Sequence, residues 1–521
     1  MNQLIILVVI TCVMTQVSFA QKTLETPLSR EDMKTDLEWC RKIRDAANSG
    51  VYKYRTPAEI DSIYHWATQE IEQFNTVGDF YNIINTITDF EGSLHNTTQL
   101  PRKISKNLRS EINGYFPYPI KLIEDEVRIN IEGKSLPLGS KIQTINGKKI
   151  EKVLTNFYKY YATDGFNLTG KTIGINENFS LYYRFHYGKK EEFEITYQLI
   201  NQDEVRTASI KSVGYKEYYQ NFDQRYSKKI DFYTYAGSKD FKKTKDLYHF
   251  QIIDHQIAQL TINTFLIGWH AKDPKHLEYT QFLDSIFTIL QEQQILNLIV
   301  DVRHNGGGSD PNDLVTYSYL TDRNFMENKE AWIAFQKIPY YRHIRKEVFF
   351  LFKPIEKILS NQGIPDAFPD DRNGRYYQDA KSPDHLVRTP KPNAFKGKIY
   401  LLVSPTTASA GSLFAAMVAG NENTIVIGEE TQGGYYGHNG HIPIRYWLPK
   451  SKIRMMFSIV NLEQDVPEKA SQPFGSGVMP DYEVEQSLEG FLNQKDTVLD
   501  YTLNLIRKNK QVGEKGTNTQ K

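Results

Sequence analysis

Ile399-Tyr400-Leu401-Leu402-Val403-Ser404-Pro405-Thr406-Thr407-Ala408-Ser409-Ala410-Gly411-Ser412-Leu413-Phe414-Ala415-Ala416-Met417-Val418-Ala419 reads as a buried strand, a turn of small residues and an apolar helix. Such a turn lifts a serine to a helix N-terminus, where unpaired main-chain N–H groups can hydrogen-bond a developing oxyanion. A second strand-to-turn unit lies upstream. Ile295-Leu296-Asn297-Leu298-Ile299-Val300-Asp301-Val302-Arg303 runs into His304-Asn305-Gly306-Gly307-Gly308. Two such units point to nucleophilic serine chemistry assembled from loops at strand ends.

The strands belong to an alternating region. Phe250–Ile253 and Gln256–Ile262 read as strands, and Phe282, Leu283, Ile286, Phe287 and Leu290 form one face of a helix before the strand at Ile295. After the serine helix, Thr424-Ile425-Val426-Ile427 is a further buried strand ending in Gly428-Glu429-Glu430-Thr431. Alternation of this kind predicts an α/β sheet with functional groups at its strand ends. Between Thr321 and Lys396 the pattern is irregular and aromatic, as in a lid or groove insertion.

Upstream the texture differs. Ile60, Tyr64, Ala67, Ile71 and Phe74, then Phe80, Ile83, Ile84, Ile87 and Phe90, recur at helical spacing, broken at Gly78-Asp79, so residues 21–112 read as a helical domain. From Tyr115 to Leu199 short β-like runs take over. Gly139-Ser140-Lys141-Ile142-Gln143-Thr144-Ile145-Asn146-Gly147-Lys148-Lys149-Ile150 contains an Asn-Gly hairpin turn and resembles a segment of PDZ domains, with a helix expected over 153–161 and strands near 180–187 and 192–199. The expected division is a PDZ-like domain over 115–200, a catalytic domain over 201–508 that opens on a Tyr- and Lys-rich connector, and a disordered tail over 509–521.

The 521 residues exceed one ordinary domain. Charge is balanced at 63 basic and 62 acidic residues, which argues against a nucleic-acid or anionic-membrane partner. Leu4 to Met14 has the length of a signal-peptide h-region and is followed by Val17-Ser18-Phe19-Ala20, so residues 1–20 read as a signal peptide and the protein as exported, to a periplasm or the medium. No later stretch is long and apolar enough to span a membrane. The mature chain keeps only Cys40, which excludes an internal disulfide, and no cysteine cluster suggests zinc.

Four motifs in order, behind a PDZ-like module, resemble the tail-specific, or C-terminal processing, serine peptidases, whose relatives include the tricorn core protease. They are Asp301-Val302-Arg303-His304-Asn305-Gly306-Gly307-Gly308, Thr407-Ala408-Ser409-Ala410, Gly428-Glu429-Glu430-Thr431 and Gly477-Val478-Met479-Pro480-Asp481; the resemblance spans Asp79 to Ile506. It implies a ClpP/crotonase-like α/β catalytic domain, Ser409 as nucleophile rather than Ser404 or Ser412, and an oxyanion hole from Ala410 and Gly307 or Gly308. It also implies protein or peptide substrates held by their extended C-terminal tails, with no metal and no organic cofactor.

The chain departs from the Ser/Lys branch, because Gly434 stands where that branch has its lysine. The tricorn-like branch takes a histidine from the helical region, and Glu91-Gly92-Ser93-Leu94-His95-Asn96-Thr97 offers His95, with His438 and His441 as fallback bases and His304 as a possible lining group. An imidazole titrating near pH 6.5 suits the task of taking a serine proton. The carboxylate that orients the base in that branch has no counterpart here; Glu463 and Glu468 are near in sequence and neither is assigned. The missing lysine and carboxylate leave a second reading open: a non-catalytic relative that binds peptide tails or hydrophobic ligands.

Overall fold

The computed structural model describes residues 22–226, 247–308, 311–344 and 363–517. The signal-peptide reading, parts of the connector and of the aromatic insertion, and the last four residues of the tail lie outside them. Three helices open the described chain, Arg30–Ala47, Pro57–Ile71 and Val77–Phe90. The second and third begin with capping boxes, Thr56 with Glu59 and Thr76 with Asp79. Gly78 and Asp79 therefore start the third helix instead of separating the two. Its last turn leads through Glu91–Asn96 into strand β1 (Thr97–Gln99).

A β-rich unit follows, with β2 (Ile120–Ile123), β3 (Glu126–Ile129), β4 (Lys141–Ile145), β5 (Lys148–Lys149), β6 (Glu192–Gln198) and β7 (Val205–Lys211). The sheet order is β2-β3-β4-β6-β7, with β5 folded back on β4. Asn146 and Gly147 both have positive φ, 49° and 71°, which is the two-residue hairpin turn read from the sequence. Two expectations fail here. Ser180–Tyr187 is not a strand but the second half of a helix, Lys171–Tyr187. Its aromatic residues favour a strand by propensity, yet Ile175, Phe179, Tyr182 and Tyr183 are all buried against this sheet, and packing overrides propensity. The domain also does not stop at 200. β7 pairs with β6 from Glu192↔Lys211 to Gln198↔Val205, and a Tyr115↔Val213 bridge closes the unit.

The third unit is built on a central sheet of order β18-β15-β14-β10-β9-β8, formed by β8 (Tyr248–Asp254), β9 (Ile257–Ile262), β10 (Asn297–Asp301), β14 (Lys398–Val403), β15 (Thr424–Gly428) and β18 (Tyr482–Glu483). All its pairings are parallel except β8 with β9. Because β10 and β14 are parallel neighbours in the register Asp301↔Leu402, both motif turns leave the same edge of the sheet. The helix Ala410–Ala419 is buried along its whole length, which explains its Ala-rich composition: small side chains let it lie close on the sheet. A helix from Thr497 to Thr517 runs through the region expected to be a disordered tail from 509.

A third sheet joins distant parts of the chain. β17 (Arg454–Gln464) pairs with β16 (Asn439–Trp447), with β1, and with β11 (Asn328–Ile333), which continues to β13 (Arg375–Tyr377) and β12 (Asp370–Arg372). Its apolar face and the N-terminal helices share one core. The architecture is thus mixed α/β, with helices and three sheets. Among the described residues no helix is long and apolar enough to cross a membrane.

Candidate active site

Ser409 sits where β14 turns into the helix Ala410–Ala419, with φ 52° and ψ −130°. A non-glycine residue held there is strained, as at a nucleophile elbow, and the surroundings hold it firmly. Thr407 donates its hydroxyl to the Val302 carbonyl (2.9 Å), Ser404 its hydroxyl to the Arg303 carbonyl (2.5 Å), and Ala408 its N–H to the Asn305 carbonyl (3.1 Å). The two motif turns are therefore one unit. Ser404 is spent in it, and Ser412 donates back to the Ser409 carbonyl at 2.8 Å. That leaves Ser409 as the partly exposed hydroxyl of the three.

Asp301 and Arg303 are architectural. Arg303 forks onto the Asp301 carboxylate and also binds Asp496, which caps the last helix. Burial alone would push the Asp301 carboxyl up, but the adjacent guanidinium holds it below its ordinary range.

Gly307 (φ 103°) lies against Ser409, where a Cβ would stand 2.8 Å from the Ser409 Cβ. Its N–H is not free for an oxyanion, since it donates to Asn305 Oδ1 at 3.0 Å. Of the two glycines named from the sequence, Gly308 is the exposed one. Ala410 is the first residue of its helix, so its N–H has no intrahelical acceptor.

His95 Nε2 lies 3.3 Å from Ser409 Oγ, across 314 residues of chain. Burial, and then the charge of nearby His441, lower its pKa to about 4, opposed weakly by the Asn439 main chain. Its buried Nδ1 makes no hydrogen bond of normal geometry, so among the described residues no carboxylate orients it. Glu463 is exposed and faces Lys329 at 3.6 Å. Neither fallback histidine bonds Ser409. His438 packs its ring 4.9 Å from that of His95, and burial drives its pKa far down. His441 Nε2 is 3.9 Å from Glu327 Oε1. His304 contributes its carbonyl to the glycine turn, accepting from Gly306 N–H at 3.2 Å.

The loop that carries His95 is held by residues the sequence reading did not single out. Glu91, buried with Arg44, also accepts from Asn96 (2.9 Å) and Asn48 (3.1 Å). Asp164, fully buried, accepts the N–H of Leu94 at 3.0 Å and that of Gly434 at 2.9 Å. Gly434 has no room for a long side chain, because a Cβ there would meet the Gly437 carbonyl at 3.0 Å and Tyr54 Oη at 3.1 Å. Nothing short of the fold marks Asp164, which sits in an ordinary Asp-Gly turn. A cavity of about 710 Å³ beside this cluster is lined by Lys53, Trp332, Tyr436, Glu463, Glu468 and Phe474. A cavity of similar size on the helical domain, near Leu28 and Trp447, holds none of these groups.

Residues 256–484 match the model of peptidase family S41. That region belongs to peptidase family S41. The fold agrees. A crystal structure of mature CPAF aligns at 12% identity over 89% of this chain and 94% of its own, with a TM-score of 0.53. Mature CPAF complexed with lactacystin aligns at 13% identity over 93% and 98%, with a TM-score of 0.55. No curated protein matches the chain. The chain is a serine peptidase, with proteins or peptides as its substrates.

Proposed function

We propose that Ser409 is the nucleophile of an exported endopeptidase, with His95 as its base and the N–H groups of Ala410 and Gly308 as oxyanion donors. The observation that carries this is the 3.3 Å approach of His95 Nε2 to Ser409 Oγ, made by chain segments 314 residues apart. In the first step Oγ attacks the scissile carbonyl carbon while its proton passes to His95 Nε2. The oxyanion settles against the two N–H groups, and collapse expels the amine, which takes the proton from His95. Water, deprotonated by the same imidazole, then hydrolyses the acyl-enzyme. An imidazole with a pKa of about 4 is unprotonated at neutral pH but is a weak base, so the oxyanion donors carry much of the rate.

The same reading takes residues 1–20 as a cleaved signal and the β-rich domain as a PDZ-like module holding a substrate tail by strand addition. The β2 edge is occupied, since Leu122 N–H donates to Asn176 Oδ1 at 2.8 Å and Glu124 N–H to Glu485 at 3.2 Å. The β7 edge has no partner strand among the described residues, and the tail is assigned to it. The test is cleavage of an unfolded protein by wild type, Ser409→Ala and His95→Ala, with products sequenced. Loss in both variants and cuts clustered near C-termini support the proposal. Undiminished cleavage by Ser409→Ala refutes the nucleophile, and cuts spread evenly along the substrate refute tail capture. An exported protein that does not begin at Gln21 refutes the signal cleavage.

A further inference from the structure

Asp164 is a buried carboxylate that the mechanism above does not use. It belongs to the β-rich domain, in a loop threaded between the two halves of the active site. Its own N–H donates to the Gln432 carbonyl (3.3 Å), Gly165 N–H to the Gly92 carbonyl (2.9 Å), and Asn167 Nδ2 to the Thr431 carbonyl (2.6 Å). The carboxylate completes this stitching with one oxygen on each side. Oδ1 receives Leu94 N–H, immediately before His95, and Oδ2 receives Gly434 N–H, four residues before His438.

Resting on the assignment of Ser409 and His95, we infer that Asp164 is a positioning residue whose ionised carboxylate clamps the His95 loop to the Gln432–Gly434 segment and so sets the Ser409–His95 distance. The chemistry is that of one acceptor per oxygen. Ionised, the carboxylate accepts both N–H groups; protonated, one oxygen becomes a donor facing a donor, and one side of the clamp is lost.

No salt bridge reaches Asp164 among the described residues. The groups that face it are Lys53, whose ammonium is held on Asn461 Oδ1 (3.1 Å) and the Leu462 carbonyl (2.9 Å), and the Tyr54 phenol, which donates to the Gly437 carbonyl (3.2 Å). On the clamped segments and their continuations the titratable groups are Glu91, ion-paired with Arg44, and His95 on one side, and Tyr435, Tyr436 and His438 on the other. Burial raises the Asp164 carboxyl to about 7, against its two main-chain hydrogen bonds and Lys53. The clamp thus opens as pH falls through neutrality, well above the pH at which His95 itself takes a proton.

The experiment measures kcat, KM and the rate of fluorophosphonate labelling of Ser409 from pH 4 to 9 in wild type, Asp164→Asn and Lys53→Met. Wild type is expected to lose activity on the acid side with a midpoint near pH 7. Asp164→Asn, which offers one acceptor and one donor, should lower kcat and labelling about tenfold or more with KM little changed, because misplacing a catalytic group costs rate rather than binding. Its remaining acid limb should fall below pH 5. Lys53→Met removes the cation that faces Asp164 among the described residues and should move the wild-type limb upward. A wild-type profile flat from pH 6 to 8, an Asp164→Asn enzyme with wild-type rates and limb, or a Lys53→Met limb that does not move would overturn the clamp. Should Asp164→Asn fail to fold, the wild-type and Lys53→Met profiles still decide. Wild type that never labels at Ser409 brings down the assignment beneath the inference instead.

Discussion

The two halves of the proposed active site are built in opposite ways. The Ser409 half is local to one sheet: β10 and β14 are parallel neighbours, and their turns are laced by hydrogen bonds between motif residues, Thr407 to Val302, Ser404 to Arg303 and Ala408 to Asn305. The His95 half is delivered from outside. Its loop hangs from the N-terminal helices through Glu91 and Arg44, from the third sheet through β1, and from the β-rich domain through Asp164. The proposed nucleophile and oxyanion donors are thus prebuilt by the central sheet, whereas the proposed base arrives only when three units dock.

The largest expected effect falls on the prebuilt half. Ser409→Ala should reduce peptide cleavage by about 10⁴-fold or more, measured as kcat under saturating substrate. His95→Ala should cost on the order of 10³-fold while Ser409 stays in place, the range of general base catalysis. Gly307→Ala would place a Cβ against Ser409 at a φ that disfavours side chains, and a drop of about 100-fold in kcat with a loss of about 1–3 kcal/mol in stability is expected. Survival of full activity in that variant would show that the glycine turn does not bear on the nucleophile.

Effects on the docked half should appear as stability. Arg44→Met leaves the Glu91 carboxylate buried without its cation and should cost about 3–5 kcal/mol in denaturant unfolding, with loss of activity following the His95 loop. His95 adds a pH dependence of definite sign. Its pKa is lowered on folding, so between pH 6.5 and about 4 the unfolded chain binds a proton that the native state refuses. Stability therefore falls as pH drops through that window, by at most about 3 kcal/mol, and His95→Ala should flatten the slope. The smallest effect is expected at His441, which bears on His95 only through screened charge; His441→Ala should change the rate by no more than about threefold.

How much could be read in advance follows the same division. The strands and the helix are legible because strand, small-residue turn and apolar helix are contiguous in sequence, and each makes its contacts with another motif; the candidate Ser409 comes from the same stretch. His95 could be placed as a candidate by resemblance alone. Its supports could not, because Asp164 binds main-chain N–H groups 70 and 270 residues away, and such partners leave no trace in side-chain identity. The glycine turn shows the limit within a motif: Gly306, Gly307 and Gly308 look equivalent, and only the Asn305 amide reveals that the Gly307 N–H is already engaged. Ser180–Tyr187, the second half of helix Lys171–Tyr187, reads as a strand because its aromatic residues are buried on more than one side, which erases the helical period.

The most direct test of the central claim is fluorophosphonate labelling at pH 7.5, read by peptide mass spectrometry in wild type and His95→Ala. The expected result is an adduct on Ser409 alone, formed about 10³-fold more slowly without His95. An adduct on another serine, or a His95→Ala protein labelled at the wild-type rate, would contradict it.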